Sequence, residues 1–166
     1  MKEAREEKGM TQQELAQLSF LSDKTISAIE TGRRNLTKDN LRIICKELDN
    51  PFIYFQAVSE VTGDVFNINW LDGEAADLHR AAVREKVVEE FDEAIQAISL
   101  VKTSKNPKTC TMEDVQNIVE SIQETIDVYN ASAIYIAVMC KEFNLNIQEM
   151  FKVQKEKLIS RKYIKR

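Results

Sequence analysis

Residues 11–35 read TQQELAQLSFLSDKTISAIETGRRN, and the fold of the N-terminal part turns on where this stretch breaks. Thr11-Gln12-Gln13-Glu14 has the form of a capping box. The threonine hydroxyl serves an orphan backbone amide, and the glutamate reaches back to the amide of Thr11. The helix it opens carries Leu15, Ala16 and Leu18 on its apolar side. After Ser19-Phe20-Leu21, Ser22 is a strong N-cap for a further helix that runs to Gly32, with Ile26 and Ile29 on one face. Upstream, Met1–Lys8 reads as a helix stopped by Gly9, with Met1 filling a core position. Downstream, Thr37 caps a fourth helix that buries Leu41, Ile43, Ile44 and Leu48. Pro51 suits the first turn of a fifth, from Phe52 to about Val58.

Two helices joined by a few residues inside a five-helix cluster form a helix-turn-helix arrangement. Thr11-Gln12, Leu15-Ala16, Ser22, Ile26-Ser27 and Glu30-Thr31-Gly32-Arg33-Arg34 occur in register. With these matches, residues 1–58 resemble the lambda-repressor-like (XRE-type) DNA-binding domain. A helix starting at Ser22 would lie in the major groove with its leading side chains Ser22, Asp23, Lys24, Thr25 and Ser27 at base edges. Lys24 suits guanine O6/N7, and Thr25 a thymine methyl or a polar edge. Gln12 sits at a helix N-terminus, where backbone amides favour phosphate, and Gln13 beside it reaches a phosphate or an adenine. Arg33 and Arg34, with Asn35 next to them, read as clamps on the DNA backbone. Two residues depart from the family pattern. Phe20 stands where a turn glycine is usual, and positive φ is costly for it; either the turn differs or Phe20 has a packing or partner role. Asp23 suits the helix dipole but repels phosphate unless it accepts from cytosine N4.

Composition agrees with a helical protein. The chain has 166 residues, 43% hydrophobic and 30% charged, with Gly 4 and Pro 2. So few glycines disfavour all-β sandwiches and Gly-rich nucleotide loops. The longest apolar run, Ala133 to Cys140, is far too short for a membrane span, and the charged N-terminus is unlike a signal peptide. Cys45, Cys110 and Cys140 form no CxxC pair, so reduced thiols and a cytoplasmic location are expected. Residues 1–50 hold nine Lys/Arg and nine Asp/Glu, so the net charge of −4 belongs to the remainder. A local cationic surface on the first part stays compatible with an acidic chain.

Val61 to Trp70, VTGDVFNINW, is the one β-like stretch. It reads either as a small hairpin turning at Gly63-Asp64 or as an extended linker covering a helix, ending at Asp72-Gly73. From Glu74 to Val101 a helical stripe joins Leu78, Ala81, Arg84, Val88, Phe91, Ile95 and Ile98, widened by Val87 and Ala94. A loop at Lys102–Thr109 precedes Thr111, which caps a helix of about thirty residues reaching Cys140. Asn144-Leu145-Asn146 breaks it, and a last helix runs from Ile147 to about Arg161. Long antiparallel helices imply a bundle shared with a second subunit.

Glu89-Glu90-x-x-Glu93 and Glu124-x-x-Asp127 put carboxylates one turn apart on two helices, an arrangement able to hold Mg²⁺. Together with the basic ending around Lys155, Lys157 and Arg161, residues 76–166 resemble MazG-like all-α nucleotide pyrophosphohydrolases. That resemblance implies Mg²⁺ on Glu89, Glu90, Glu93, Glu124 and Asp127. The bland reading is a solvated acidic face, neutralised in part by Lys86, without metal. His79, the single histidine, reads as a surface or interface residue.

The expected fold is therefore all-α. Residues 1–58 are a five-helix DNA-binding domain, 59–74 a linker or β-hairpin, and 75–166 a helical dimerisation and regulatory domain open to a protein or small-molecule effector. The expected function is sequence-specific transcription regulation, as a repressor of the phage or mobile-element type by analogy with XRE-type proteins. It would act as a homodimer on double-stranded operator DNA, without catalysis, cofactor or membrane. Other readings are a Mg²⁺-dependent nucleotide pyrophosphohydrolase with an attached DNA-binding domain, and an antitoxin whose helical half holds a toxin.

Overall fold

The structure, a computed structural model, describes residues 1–63, 66–71 and 73–165. Among them it is all helix and turn, with no strand. The helices are α1 (Lys2–Glu7), α2 (Gln12–Ser19), α3 (Asp23–Glu30), α4 (Lys38–Leu48), α5 (Pro51–Thr62), α6 (Arg80–Ser99), α7 (Met112–Glu142) and α8 (Ile147–Ser160). They divide into two compact units, Met1–Asn67 with Asn144–Arg166, and Ile68–Phe143.

In the first unit the expected caps set the helix starts. Thr11 Oγ1 accepts from Glu14 N–H at 3.1 Å, while Glu14 Oε2 accepts from Thr11 N–H at 2.7 Å. Ser22 and Thr37 cap α3 and α4 by the first of these bonds alone, their hydroxyls accepting from Thr25 N–H and Asn40 N–H. The core joins Ala4, Leu15, Ala16, Ile26, Leu41, Ile44, Cys45, Leu48 and Ile53, with Met1 packed against it. Ile43, expected inside, is only half-buried, and Cys45, on the opposite side of the helix, is buried with Leu41, Ile44 and Leu48. Leu15, Ile26 and Ile44 are fully buried. Burial of this kind stabilises by about 1.5–3 kcal/mol per side chain.

Phe20 keeps the turn that its identity put in question. It is in the left-handed region at φ 57°, because the end of α2 closes with Leu21 N–H on Ala16 O at 2.9 Å. Phe20 is 87% exposed, so little packing among the described residues offsets the strain. Phe20→Gly is expected to stabilise the protein by about 0.5–1 kcal/mol. It removes roughly 1–2 kcal/mol of left-handed strain and adds a smaller unfolded-state entropy. A rise in the urea midpoint checks this, and an unchanged or lowered midpoint refutes it.

The last helix packs differently from the division drawn on the sequence, which put 75–166 together. Ile147 is buried in the first unit, and Gln148 Nε2 donates to Lys46 O and to Asp49 Oδ1, each at 3.1 Å. These bonds tie α8 to the end of α4.

The hairpin does not form among the described residues. Helix α5 continues through Val61 and Thr62 and ends at Gly63, whose φ is +64°. Asp64 and Asp72, each half of an expected turn dipeptide, and Val65 lie outside the described residues. Residues 67–71 are an irregular linker. Asn130 on α7 pairs with its backbone: Asn69 N–H donates to Asn130 Oδ1 at 2.7 Å, and Asn130 Nδ2 donates to Asn69 O at 3.2 Å. That leaves the linker reading of this stretch.

In the second unit α6 and α7 pack as a helical hairpin. Helix α6 begins at Arg80, later than expected, where His79 is its N-cap and His79 Nδ1 accepts from Ala81 N–H at 3.3 Å. Helix α7 opens on a second capping box, Thr111 with Asp114, and is unbroken for 31 residues. The stripe expected to be buried is not. Val83, Val87, Glu90 and Ala94 are buried on α6, whereas Val88, Phe91, Ile95 and Ile98 are exposed. The smaller side chains let the two helices approach, and the bulkier row one step round is left outside.

Candidate nucleic-acid interface

The N-terminal half of α3 and the N-terminus of α2 meet on one side of the first unit. Gln12, Asp23, Lys24, Ser27, Ala28 and Arg33 line a shallow depression there. Five of the residues singled out in the sequence are thus gathered on one surface; Ala28 is an addition.

Ile26 anchors the surface from below, fully buried. The turn after α3 carries Arg33 back toward the helix: Ala28 O accepts from Arg33 N–H at 2.8 Å and from Arg34 N–H at 3.1 Å. Gly32 makes that reversal at φ +69°, a conformation other residues adopt at a cost. Arg33 Nε donates to Thr31 Oγ1 at 2.9 Å, which restrains the guanidinium while its remaining donors stay outward. Lys24, Asp23, Gln13, Arg34 and Asn35 are exposed.

Two expected base readers are partly engaged. Ser22 Oγ accepts from Thr25 N–H at 3.1 Å and lies 2.9 Å from Thr25 Oγ1, so both hydroxyls serve the cap of α3. Thr25 keeps its methyl for an apolar contact, while Lys24, Asp23 and Ser27 present the polar groups. Gln13, Arg34 and Asn35 flank the depression without lining it.

Sequence reasoning missed what fixes the angle between α2 and α3. Arg5 of α1 is buried and makes a paired contact with Glu30, Nε to Oε1 at 2.7 Å and Nη2 to Oε2 at 3.1 Å. Arg5 Nη1 also donates to Met10 O at 2.6 Å. Gln12 Nε2 donates to Glu30 Oε2 at 2.8 Å. One carboxylate therefore ties α1, the start of α2 and the end of α3. Burial pushes the Glu30 carboxyl up, but the hydrogen bonds from Arg5 and Gln12 and the Arg5 charge outweigh it and hold it below the usual carboxylate range. The hydrogen bond to Glu30 holds the Arg5 guanidinium above its ordinary value. The signal available in the sequence was Arg5 on the side of α1 that also carries Met1 and Ala4, where a cation needs a buried partner.

Gln12, expected to meet phosphate, is therefore bound within the protein. Its own backbone amide and that of Gln13 lie in the first turn of α2, where the helix dipole favours an anion.

The carboxylates of the second unit are only partly gathered. Glu90, Glu124 and Asp127 bring oxygens within 4.8 Å of one another, but Glu89 and Glu93 are not in that group. Lys86 Nζ pairs with Glu90 Oε1 at 2.8 Å and Glu89 Oε2 at 3.3 Å. Burial, and then the charges of Glu93, Asp127 and Glu90, push the Glu124 carboxyl up.

The helix-turn-helix family model matches residues 1–55. No curated protein and no solved structure matches the chain. No helix among the described residues is long and apolar enough to cross a membrane.

Proposed function

Because residues 1–55 are an XRE-type helix-turn-helix domain of a DNA-binding regulator, we propose that this protein is a sequence-specific transcriptional repressor. In this reading it binds operator DNA as a homodimer, with α3 of each copy in the major groove. The observation that carries it is the row Asp23, Lys24 and Ser27, the first two exposed and Ser27 half-buried, bounded by Gln12 and Arg33 and held over buried Ile26. One short helix reads few base pairs, and two half-sites about 34 Å apart supply usable specificity. Repression needs only occupancy of the operator, and the phage or mobile-element type follows by analogy with XRE-type repressors. The second unit is the place for a protein or small-molecule effector. The protein acts by binding, not catalysis, and its carboxylates are an acidic face that Lys86 partly neutralises.

Selection of bound sequences from a random DNA pool tests the proposal. A symmetric pair of half-sites is expected. Lys24→Ala should relax preference at one position per half-site, by about 1–3 kcal/mol or 5- to 150-fold. No enrichment, or enrichment unchanged by Lys24→Ala, overturns the docking. Magnesium-dependent pyrophosphate release from a nucleoside triphosphate, lost in Glu90→Gln, would put the enzyme reading in its place.

A further inference from the structure

The α6–α7 hairpin has two unlike faces. Turning about α6 from its buried seam (Val83, Val87, Glu90, Ala94), the next row is Val88, Phe91, Ile95 and Ile98, all exposed, with Ile95 at 63%, and exposed Arg84 closes the row at its N-terminal end. Turning about α7 in the same sense from buried Asp114 and Ser121, the next row is Val115, Ile118, Ile122 and Ile126, also exposed. For two antiparallel helices, rows displaced in the same sense from the mutual contact lie on the same side of the pair. The rows are also level. Glu90 lies beside Glu124 and Asp127, which sets Ile98 near Val115 or Ile118, and Phe91 near Ile122 or Ile126. The result is one apolar sheet of side chains, with Glu124 and Asp127 turned to the opposite face.

From this geometry we infer that the apolar face is covered by the same face of a second copy, giving a four-helix bundle in which α6 of one chain lies over α7 of the other. The inference rests on the dimer reading above and names its interface. Three observations point to a second copy. The spacing of both rows, three and four residues apart, is that of bundle packing, where each helix uses a wide apolar face. The rows run about 15 Å along α6 and about 17 Å along α7, and the face is two helices, roughly 18 Å, wide. Eight side chains per copy, 36–63% exposed, let two such faces together cover on the order of 1,000 Å², at the lower edge of specific interfaces. The borders also fit. Glu85 and Asp92 edge the face on α6, whereas Gln116 and Gln123 edge it on α7. With α6 over α7, carboxylates meet amides; with α6 over α6, they would meet each other. Asp92 lies level with Gln123.

Sedimentation equilibrium on the full chain tests this. The wild type is expected to be a dimer at low micromolar concentration. Ile95→Glu with Ile122→Glu should weaken dimerisation at least 100-fold. Both side chains are exposed in the single chain, so unchanged far-UV circular dichroism confirms that the fold is intact. A monomeric wild type, or a double variant that stays dimeric, overturns the interface. For the pairing, Gln123→Glu should weaken the dimer about 5- to 10-fold, and adding Asp92→Lys should restore it. Failure of that rescue overturns α6 over α7. A dimer split by the two glutamates in a chain that binds no DNA in either form supports the interface and sinks the operator reading alone.

Discussion

Glu30→Ala is expected to lower stability by about 3–5 kcal/mol, the usual result of removing one partner from a buried ion pair. The Glu30 side chain is 1% exposed and that of Arg5 8%. Without the carboxylate, the guanidinium stays inside with Met10 O as its main acceptor, and Gln12 loses its tie to α3. Against a total stability of about 5–15 kcal/mol, this is a large fraction. Urea unfolding at pH 7, followed by circular dichroism, measures it; Glu30→Gln, which keeps shape and one acceptor, should fall between. The pH dependence has a fixed sign. The folded Glu30 carboxyl is held below its ordinary value, so its contribution is fully present above the unfolded value of about 4.3. It is lost as pH falls through the lowered folded value. The gap between wild type and Glu30→Ala should therefore be widest near neutrality and close in acid. A loss under about 1 kcal/mol, or a gap that widens in acid, refutes the account.

That pair also marks the limit of what the sequence discloses. Caps are local, so Thr11, Ser22, Thr37 and Thr111 announce their helices within three residues, and the structure starts α2, α3, α4 and α7 where they say. The helix-turn-helix register is legible for the same reason, since its motif spans one continuous stretch. Arg5 and Glu30 are 25 residues apart and meet only through the fold. The linker at 67–71 could be read two ways because its alternation of residues suits a strand. What decides it is Asn130, 61 residues on, whose side chain takes the bonds a partner strand would take. In the second unit the apolar stripe was visible, but periodicity does not say which of two adjacent rows a hairpin closes on. The α6–α7 contact falls on the row containing Val87 and Ala94, where small side chains permit close approach.

DNA affinity is expected to fall about a hundredfold between 50 and 200 mM salt. Lys24, Arg33 and Arg34 lie around the depression on α3, and all three are exposed. In the proposed dimer, the two arginines of each copy bring four cations to phosphates, while Lys24 reads a base. At about 0.9 counterions released per phosphate neutralised, log affinity should drop with log salt at a slope of about −3.5. A chain of net charge −4 has no general attraction for DNA, so a slope of that size must come from a local surface. Arg33→Ala removes one phosphate contact per copy. It should reduce the slope by about 2 and weaken operator and random DNA alike, because a contact to the sugar-phosphate backbone carries no sequence information. Lys24→Ala should act differently, costing more on the operator than on random DNA. Filter binding or fluorescence anisotropy across a salt series separates the two. A slope near −1, or one that Arg33→Ala leaves unchanged, would move the interface off α3. Equal losses on both DNAs from Lys24→Ala would make it another phosphate clamp and shift base reading to Asp23 and Ser27.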